Sequence, residues 1–275
     1  MQDMKIEPYE VAEDTFVIGP WHQPPGSPVG VSLNSVVIRG EEPVIVDTGT
    51  YFNREQWLED AFSLVDPADV RWVYLSHDDH DHVGNLRPVL DAAPNATLVT
   101  TWFMVERLST DYELPMERMR WINDGESFRA GDRTLTAIVP PLFDSPTTRG
   151  LFDDRTGFYW AVDSFASVLA NPAVEAADVD RGEWTEGFAI NRMNSPWHQW
   201  LDHRKFARHV DEVQRLGPSA IASAHGPALH GEMIDEAFRL VREVPHLEAP
   251  PLPGQVDLDA IVASLAPPAE LLASA

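Results

Sequence analysis

A chain of 275 residues, 44% of them aliphatic or aromatic, can bury a large core, so disorder is not expected. The formal charge of −24 and a pI near 4.6 exclude nucleic acid and anionic membranes as expected partners. With no cysteine, disulfides, thiolate catalysis and thiolate metal sites are all excluded, so any metal must be held by His and carboxylate. No apolar run reaches membrane-spanning length and residues 1–7 lack the apolar core of a signal peptide, which predicts a soluble cytoplasmic protein.

In chain order, Thr15 to Ile18 reads as a strand and Trp21 to Gly26 as a loop. Ser35 to Arg39 and Pro43 to Asp47 form an apolar hairpin, and Asn53 to Val65 a helix. Val70 to Leu75, β-branched and aromatic, predicts a strand. It runs into Ser76-His77-Asp78-Asp79-His80-Asp81-His82-Val83-Gly84-Asn85, which packs three His and three Asp into six consecutive positions. A helix with Val83, Leu86, Val89 and Leu90 inward follows, so these ligand-type residues sit at a strand-to-helix turn, where α/β proteins build sites.

Beyond it, Thr97 to Thr100 is a strand, Trp102 to Leu108 a helix, and 111–125 carries no clear pattern. Strands are predicted at Thr134 to Val139 and Gly157 to Val162. Ser195-Pro196 has the form of a helix start, predicting a helix with Trp197, Trp200, Leu201, Phe206, Val210 and Val213 inward. A last strand at Ser219 to Ser223 and a helix from Leu229 to Val244 complete the expected domain, residues 1–244. Residues 245–275 read as a Pro-rich linker and short helical tail packed on that domain.

Strands repeatedly end in a lone His or Asp, at Asp47, His77, Asp144, Asp163 and His225. Strand spacing puts His77 and Asp79 on one side, with Asp81 and His82 together at the turn, so each pair is half a metal site. Asp144, Asp163 and His225 are the candidates to complete them. Asp47 is expected to orient a ligand histidine rather than bind metal, and Asp78 and His80 to lie outward or behind the ligands. His22, His198, His203 and His209 are expected at exposed or core-edge positions, and Trp21, Trp197 and Trp200 in the core or an interface.

The pattern His77-x-Asp79-x-Asp81-His82, preceded by Asp47-Thr48-Gly49 and followed by Asp163 and His225-Gly226-Pro227, resembles the metallo-β-lactamase superfamily over residues 15–244. That resemblance implies an α+β fold, a four-layer αββα sandwich, with a dinuclear site at one edge. Hydrolytic members carry a second His where this chain has Asp79. A carboxylate there resembles the flavodiiron and oxygen-binding di-iron branch, as does Asp163-Ser164-Phe165. Asp144 stands where the family usually offers His. Four carboxylates (Asp79, Asp81, Asp144, Asp163) beside three imidazoles suit iron or manganese better than zinc. The expected function is therefore a di-iron protein that binds or reduces O2 or a related small oxidant, with Asp163 bridging the metals and Asp163 and His225 closest to the chemistry. The chain leaves no room for a fused flavodoxin-like domain, so an external electron donor is expected, and a homodimer by analogy. Two other readings stay open: a dinuclear metal hydrolase of a small ester, lactone or phosphoester, and a metal or oxygen sensor without turnover.

Overall fold

The computed structural model describes residues 2–265. Its first sheet has eight strands: β1 (Gln2–Ala12), β2 (Thr15–Gln23), β3 (Val31–Ser32), β4 (Ser35–Ile38), β5 (Val44–Val46), β6 (Trp72–Tyr74), β7 (Thr97–Thr100) and β8 (Met119–Trp121). The second has six: β9 (Ser127–Ala130), β10 (Arg133–Ile138), β11 (Gly150–Asp153), β12 (Phe158–Trp160), β13 (Ala220–Ala222) and β14 (Leu229–His230). The helices are α1 (Arg54–Leu64), α2 (His80–Val83), α3 (Leu86–Ala92), α4 (Trp102–Leu108), α5 (Arg181–Gly187), α6 (Ile190–Asn194), α7 (His203–Gln214), α8 (Glu232–Glu243) and α9 (Gln255–Leu265).

Three apolar cores separate four layers. Between the sheets, Val36, Val46, Tyr74 and Val99 meet Phe128, Leu135, Leu151 and Trp160. On the outer face of the first sheet, Ile45, Val73 and Leu98 pack against Trp57, Leu86, Val89 and Met104 from α1, α3 and α4. On the outer face of the second, Tyr159 and Ile221 pack against Val210, Val213, Phe238 and Val241 from α7 and α8. The fold is thus the α+β, αββα sandwich. Strands β5, β6 and β12 are apolar throughout because each is covered on both faces, as parallel-paired strands must be.

Strand direction places the site. β5 and β6 pair in parallel, so Asp47 and His77 emerge at one rim; β12 and β13 also pair in parallel, bringing Asp163 and His225 out together. β10 runs the same way as β12, since both are antiparallel to β11, and its carboxyl end leads to Asp144. Asn34 fastens the sheets across the sandwich, its Nδ2 donating to the Ser223 and Gly226 carbonyls at 2.9 and 3.0 Å.

Several local expectations are corrected. Trp21 to Gln23 continue β2, because β1 pairs along them from Gln2 to Ala12. Ser195-Pro196 opens only a 3-10 turn, Pro196–Trp200; the chain extends at Leu201, and Asp202 caps α7 by accepting the Arg204 and Lys205 amides at 2.9 and 3.1 Å. Trp200 consequently lies 81% exposed rather than inward. Leu229-His230 is a strand, and Gly231, at φ 52°, turns the chain into α8. The expected tail is helical at α9, but its described side chains are exposed along their whole length; residues 266–275 lie outside the described residues.

Candidate metal centre

The strand-end residues converge. His77 Nε2 lies 3.3 Å from Asp79 Oδ2, 3.3 Å from Asp144 Oδ1 and 3.8 Å from Asp163 Oδ2. His82 Nε2 lies 3.2 Å from the other Asp163 oxygen, Oδ1, and 3.8 Å from Asp81 Oδ2. His225 Nε2 is 3.0 Å from Asp163 Oδ1 and 3.4 Å from Asp81 Oδ2. Asp163, 5% exposed, thus stands between two groups and turns one oxygen to each. Donor atoms of Asp81, His82 and His225, and of His77, Asp144 and Asp163, fall within 4.8 Å of one another. His22, His198, His203 and His209 belong to no such group among the described residues.

The histidines are aimed by what lies behind them. His82 Nδ1 is 2.9 Å from the fully buried carboxylate of Asp47, and His225 Nδ1 is 3.1 Å from the Ser32 carbonyl. Both partners only accept, so each Nδ1 carries a proton and each Nε2 faces the cluster, its lone pair free for a metal once any second proton is lost. His77 Nδ1 lies 3.1 Å from the Thr148 hydroxyl and 3.5 Å from that of Thr147. Asp47 is fixed in turn: it accepts the Ser76 amide at 2.8 Å, the Ser76 hydroxyl, and the Trp160 indole at 3.1 Å. The carboxylate thus stands behind His82. His80 has no such position. That side chain is exposed at the first residue of α2, and Asp78, 5% exposed, lies behind His77 instead.

The turns that present these residues are unusual. Asp47, Val162 and Phe165 adopt left-handed backbone at φ 58°, 56° and 64°. For a β-branched residue such as Val162 that conformation is disfavoured, and such backbone gathers where the surroundings over-determine it. Val162 and Phe165 frame Asp163. Gly84 is required for another reason: a Cβ there would meet Tyr51 N at 2.5 Å and the Gly49 carbonyl at 2.6 Å, so only glycine lets the turn after Asp47 close on α2.

Electrostatics follow the same geometry. Burial works against charging His225, but Asp163 and Asp81 outweigh it and push its pKa up to about 9. His77 is raised against its burial by Asp79, and His82 against its burial by Asp81, Asp163 and Asp47. Burial opposes ionisation of Asp163, yet His82 and His225 hold its carboxyl well below the usual range. Asp79 is lowered by His77, whereas burial raises Asp144. His77 Nε2 is buried and makes an aligned hydrogen bond to none of the carboxylates around it. Oxygens surround that nitrogen without lying on its axis, which is how donors sit around a shared ion.

A two-sheet αββα sandwich with His and Asp gathered at one rim defines the metallo-β-lactamase class of fold. Residues 31–226 match the ODP family of beta lactamases, well over half of the chain, and the chain belongs to that family. The chain is 25% identical over 204 residues, 73% of its length, to a putative diflavin flavoprotein A 1 from Nostoc sp., and 22% identical over 158 residues, 57% of its length, to an anaerobic nitric oxide reductase flavorubredoxin from Salmonella arizonae. It spans 34% and 33% of those proteins, about a third of the length of the curated relatives it matches. Among solved structures, the rubredoxin:oxygen oxidoreductase of Desulfovibrio gigas superposes with a TM-score of 0.76 at 15% identity over 87% of this chain and 62% of that one. The flavodiiron protein of Giardia intestinalis superposes at 0.74, with 20% identity over 88% and 60%. These neighbours share the fold. No helix among the described residues is long and apolar enough to cross a membrane.

Proposed function

We propose that the cluster is a dinuclear metal centre, with iron the favoured metal and manganese or zinc the alternatives, and that the protein binds or reduces O2 or a related small oxidant. His77, Asp79, Asp144 and one oxygen of Asp163 would hold the first metal; Asp81, His82, His225 and the other oxygen the second. The observation that carries this reading is the placement of Asp163 Oδ2 3.8 Å from His77 and Oδ1 3.2 and 3.0 Å from His82 and His225. The Nε2 of His77 supports it, since it makes no aligned hydrogen bond although the carboxylates of Asp79, Asp144 and Asp163 lie 3.3 to 3.8 Å around it.

The residues suit hard, redox-active ions. Asp79, Asp81, Asp144 and Asp163 outnumber the imidazoles, and four carboxylates balance the charge of two divalent ions. Iron held there would supply paired one-electron changes and open coordination for a small oxidant. The protein's own share is positional. Asp47 and the Ser32 carbonyl keep imidazole lone pairs inward. His82 and His225 keep Asp163 ionised, and Asp79 and Asp144, 57% and 33% exposed, leave one side open for a small molecule to enter. Names among the relatives and neighbours supply the substrate class: one is a nitric oxide reductase and another an oxygen oxidoreductase acting with rubredoxin. On this reading electrons come from an external donor, and assembly is as a homodimer.

The test is to load the metal-free protein with ferrous iron without oxygen, then admit air together with a reductant. Uptake of two irons per chain, an oxo-bridge or charge-transfer band and sustained oxygen consumption are expected. A protein that retains two zinc ions, ignores iron and hydrolyses esters or lactones would overturn the proposal.

A further inference from the structure

Behind His77 lies a network that touches the first half of the site and leaves the second alone. The Asp78 side chain is 5% exposed, and Arg107 of α4 pairs with it, its Nε 2.6 Å from Asp78 Oδ2. Arg107 Nη1 also reaches the Ser145 hydroxyl at 3.0 Å. Thr147 donates its hydroxyl to Asp78 Oδ1 at 2.5 Å, and Ser145 and Thr147 contact each other at 2.7 Å. Thr147 and Thr148 face His77 Nδ1, while Asp78 itself stays 3.7 Å from that nitrogen. Asp78 therefore reaches the histidine through the threonine segment rather than directly. Ser145 follows Asp144 in the chain, so one carboxylate and one guanidinium hold both the loop carrying Asp144 and, through Thr147, the segment whose hydroxyls face His77.

We propose that Asp78 and Arg107 form a positioning clamp that governs occupancy of the first metal position, the one built from His77, Asp79 and Asp144, without governing the second. The inference rests on the two-metal reading above. The second position has its own supports: Asp47 behind His82 and the Ser32 carbonyl behind His225, neither of which contacts the clamp through any hydrogen bond described. The clamp's chemistry is demanding. A buried carboxylate needs its charge matched, and the guanidinium fork matches Asp78 with one nitrogen and Ser145 with another, which a lysine cannot copy. Arg107 is itself 48% exposed, so its removal leaves no cavity in the core. Asp78 donor atoms also lie within 4.8 Å of those of His77 and Asp79, but its oxygens are engaged by Arg107 and Thr147, which gives it a supporting place rather than one in the proposed ligand set.

The experiment uses the full chain, stripped of metal, titrated with cobalt(II) and followed by its visible spectrum and by calorimetry. The unaltered protein is expected to take up two ions. In Asp78→Asn and, separately, Arg107→Met, one binding step should weaken by about 10- to 100-fold while the other keeps its affinity. Arg107→Lys should recover only part of that loss. Asp47→Asn should give the converse pattern, with the spectrum of the remaining ion differing from that left in Asp78→Asn. Melting of each metal-free variant tests for a general loss of fold. Two steps weakened equally, or neither weakened, in Arg107→Met would overturn the clamp. An unaltered protein that binds fewer than two ions would overturn the two-metal reading, and the clamp with it.

Discussion

The two halves of the candidate centre use the same ligand types but are built differently. In the second half, His82 rests on a carboxylate buried to the last atom, Asp47, which is shared with Ser76 and Trp160; His225 rests on main chain. In the first half, His77 rests on threonine hydroxyls, and two of its neighbouring carboxylates, Asp79 and Asp144, reach solvent. Asp163 is held well below the usual carboxylate range by its histidines, while burial moves Asp144 the other way. A half whose histidines rest on a buried carboxylate and on main chain thus stands beside one whose histidine rests on hydroxyls, with Asp81 at 25% the more exposed carboxylate of the former. On the two-metal reading, the difference would make the second position the tighter one and the first the more open to a small molecule.

The strongest way to break this comparison is to remove what the halves share. Asp163→Ala should abolish uptake at both positions, with more than about 100-fold loss of affinity at each, since it removes a ligand and not a support. Elemental analysis of the purified variant checks this, and retention of two ions would show that Asp163 bridges nothing. Next in size is Asp144→Ala, which should lower the content to about one metal per chain. Asp144→His should restore two and move the preference towards zinc, because it adds an imidazole and removes a charge. Two metals in Asp144→Ala would mean that the first half is complete without it.

Proton linkage sharpens the contrast further. A histidine must lose its proton to bind metal. His225 is raised to about 9 in the folded protein, above its ordinary value of 6.5, so its protonated form stabilises the metal-free fold. That contribution is full below about pH 6.5 and is lost as pH rises through about 9. Metal binding runs the opposite way. Affinity should rise by roughly tenfold per pH unit for each proton released between those limits. Calorimetry in buffers of different ionisation enthalpy checks it; uptake independent of pH would contradict the assignment of His225.

The smallest effect is expected at Trp160→Phe. It removes one indole hydrogen bond from Asp47 but leaves the Ser76 bonds in place, and should cost about 1–2 kcal/mol in denaturant melts, with two metals retained. Loss of the second metal in that variant would show Asp47 to be less firmly held than its other donors suggest.

Much of this was legible in the chain itself. The run from His77 to His82 follows an apolar strand, and a ligand-rich segment has no place in a core. Asp47, Asp163 and His225 were singled out because each follows within three residues of a short apolar strand. The α7 start was misread because Ser195-Pro196 and Asp202 both carry capping chemistry, and the choice depends on Leu201 extending the chain between them. β1 escaped because Lys5, Glu7 and Glu10 interrupt its apolar pattern; its partner strand, not its composition, makes it a strand.

Within the site, the expected ligand types and their halves came from the period of a strand and from resemblance to a family. What stands behind each histidine did not. Arg107, Thr147, Thr148 and the Ser32 carbonyl are common residue types without local pattern, separated from their partners by 29 to 193 positions. Their roles exist only once parallel strands bring distant carboxyl ends to one rim. The sequence by itself determined which side chains could carry the chemistry, because residue type and local period are local properties. The tertiary structure decided which nitrogen faces inward, which carboxylate lies between the two groups and which half is open, because those depend on contacts between segments that the chain order keeps apart.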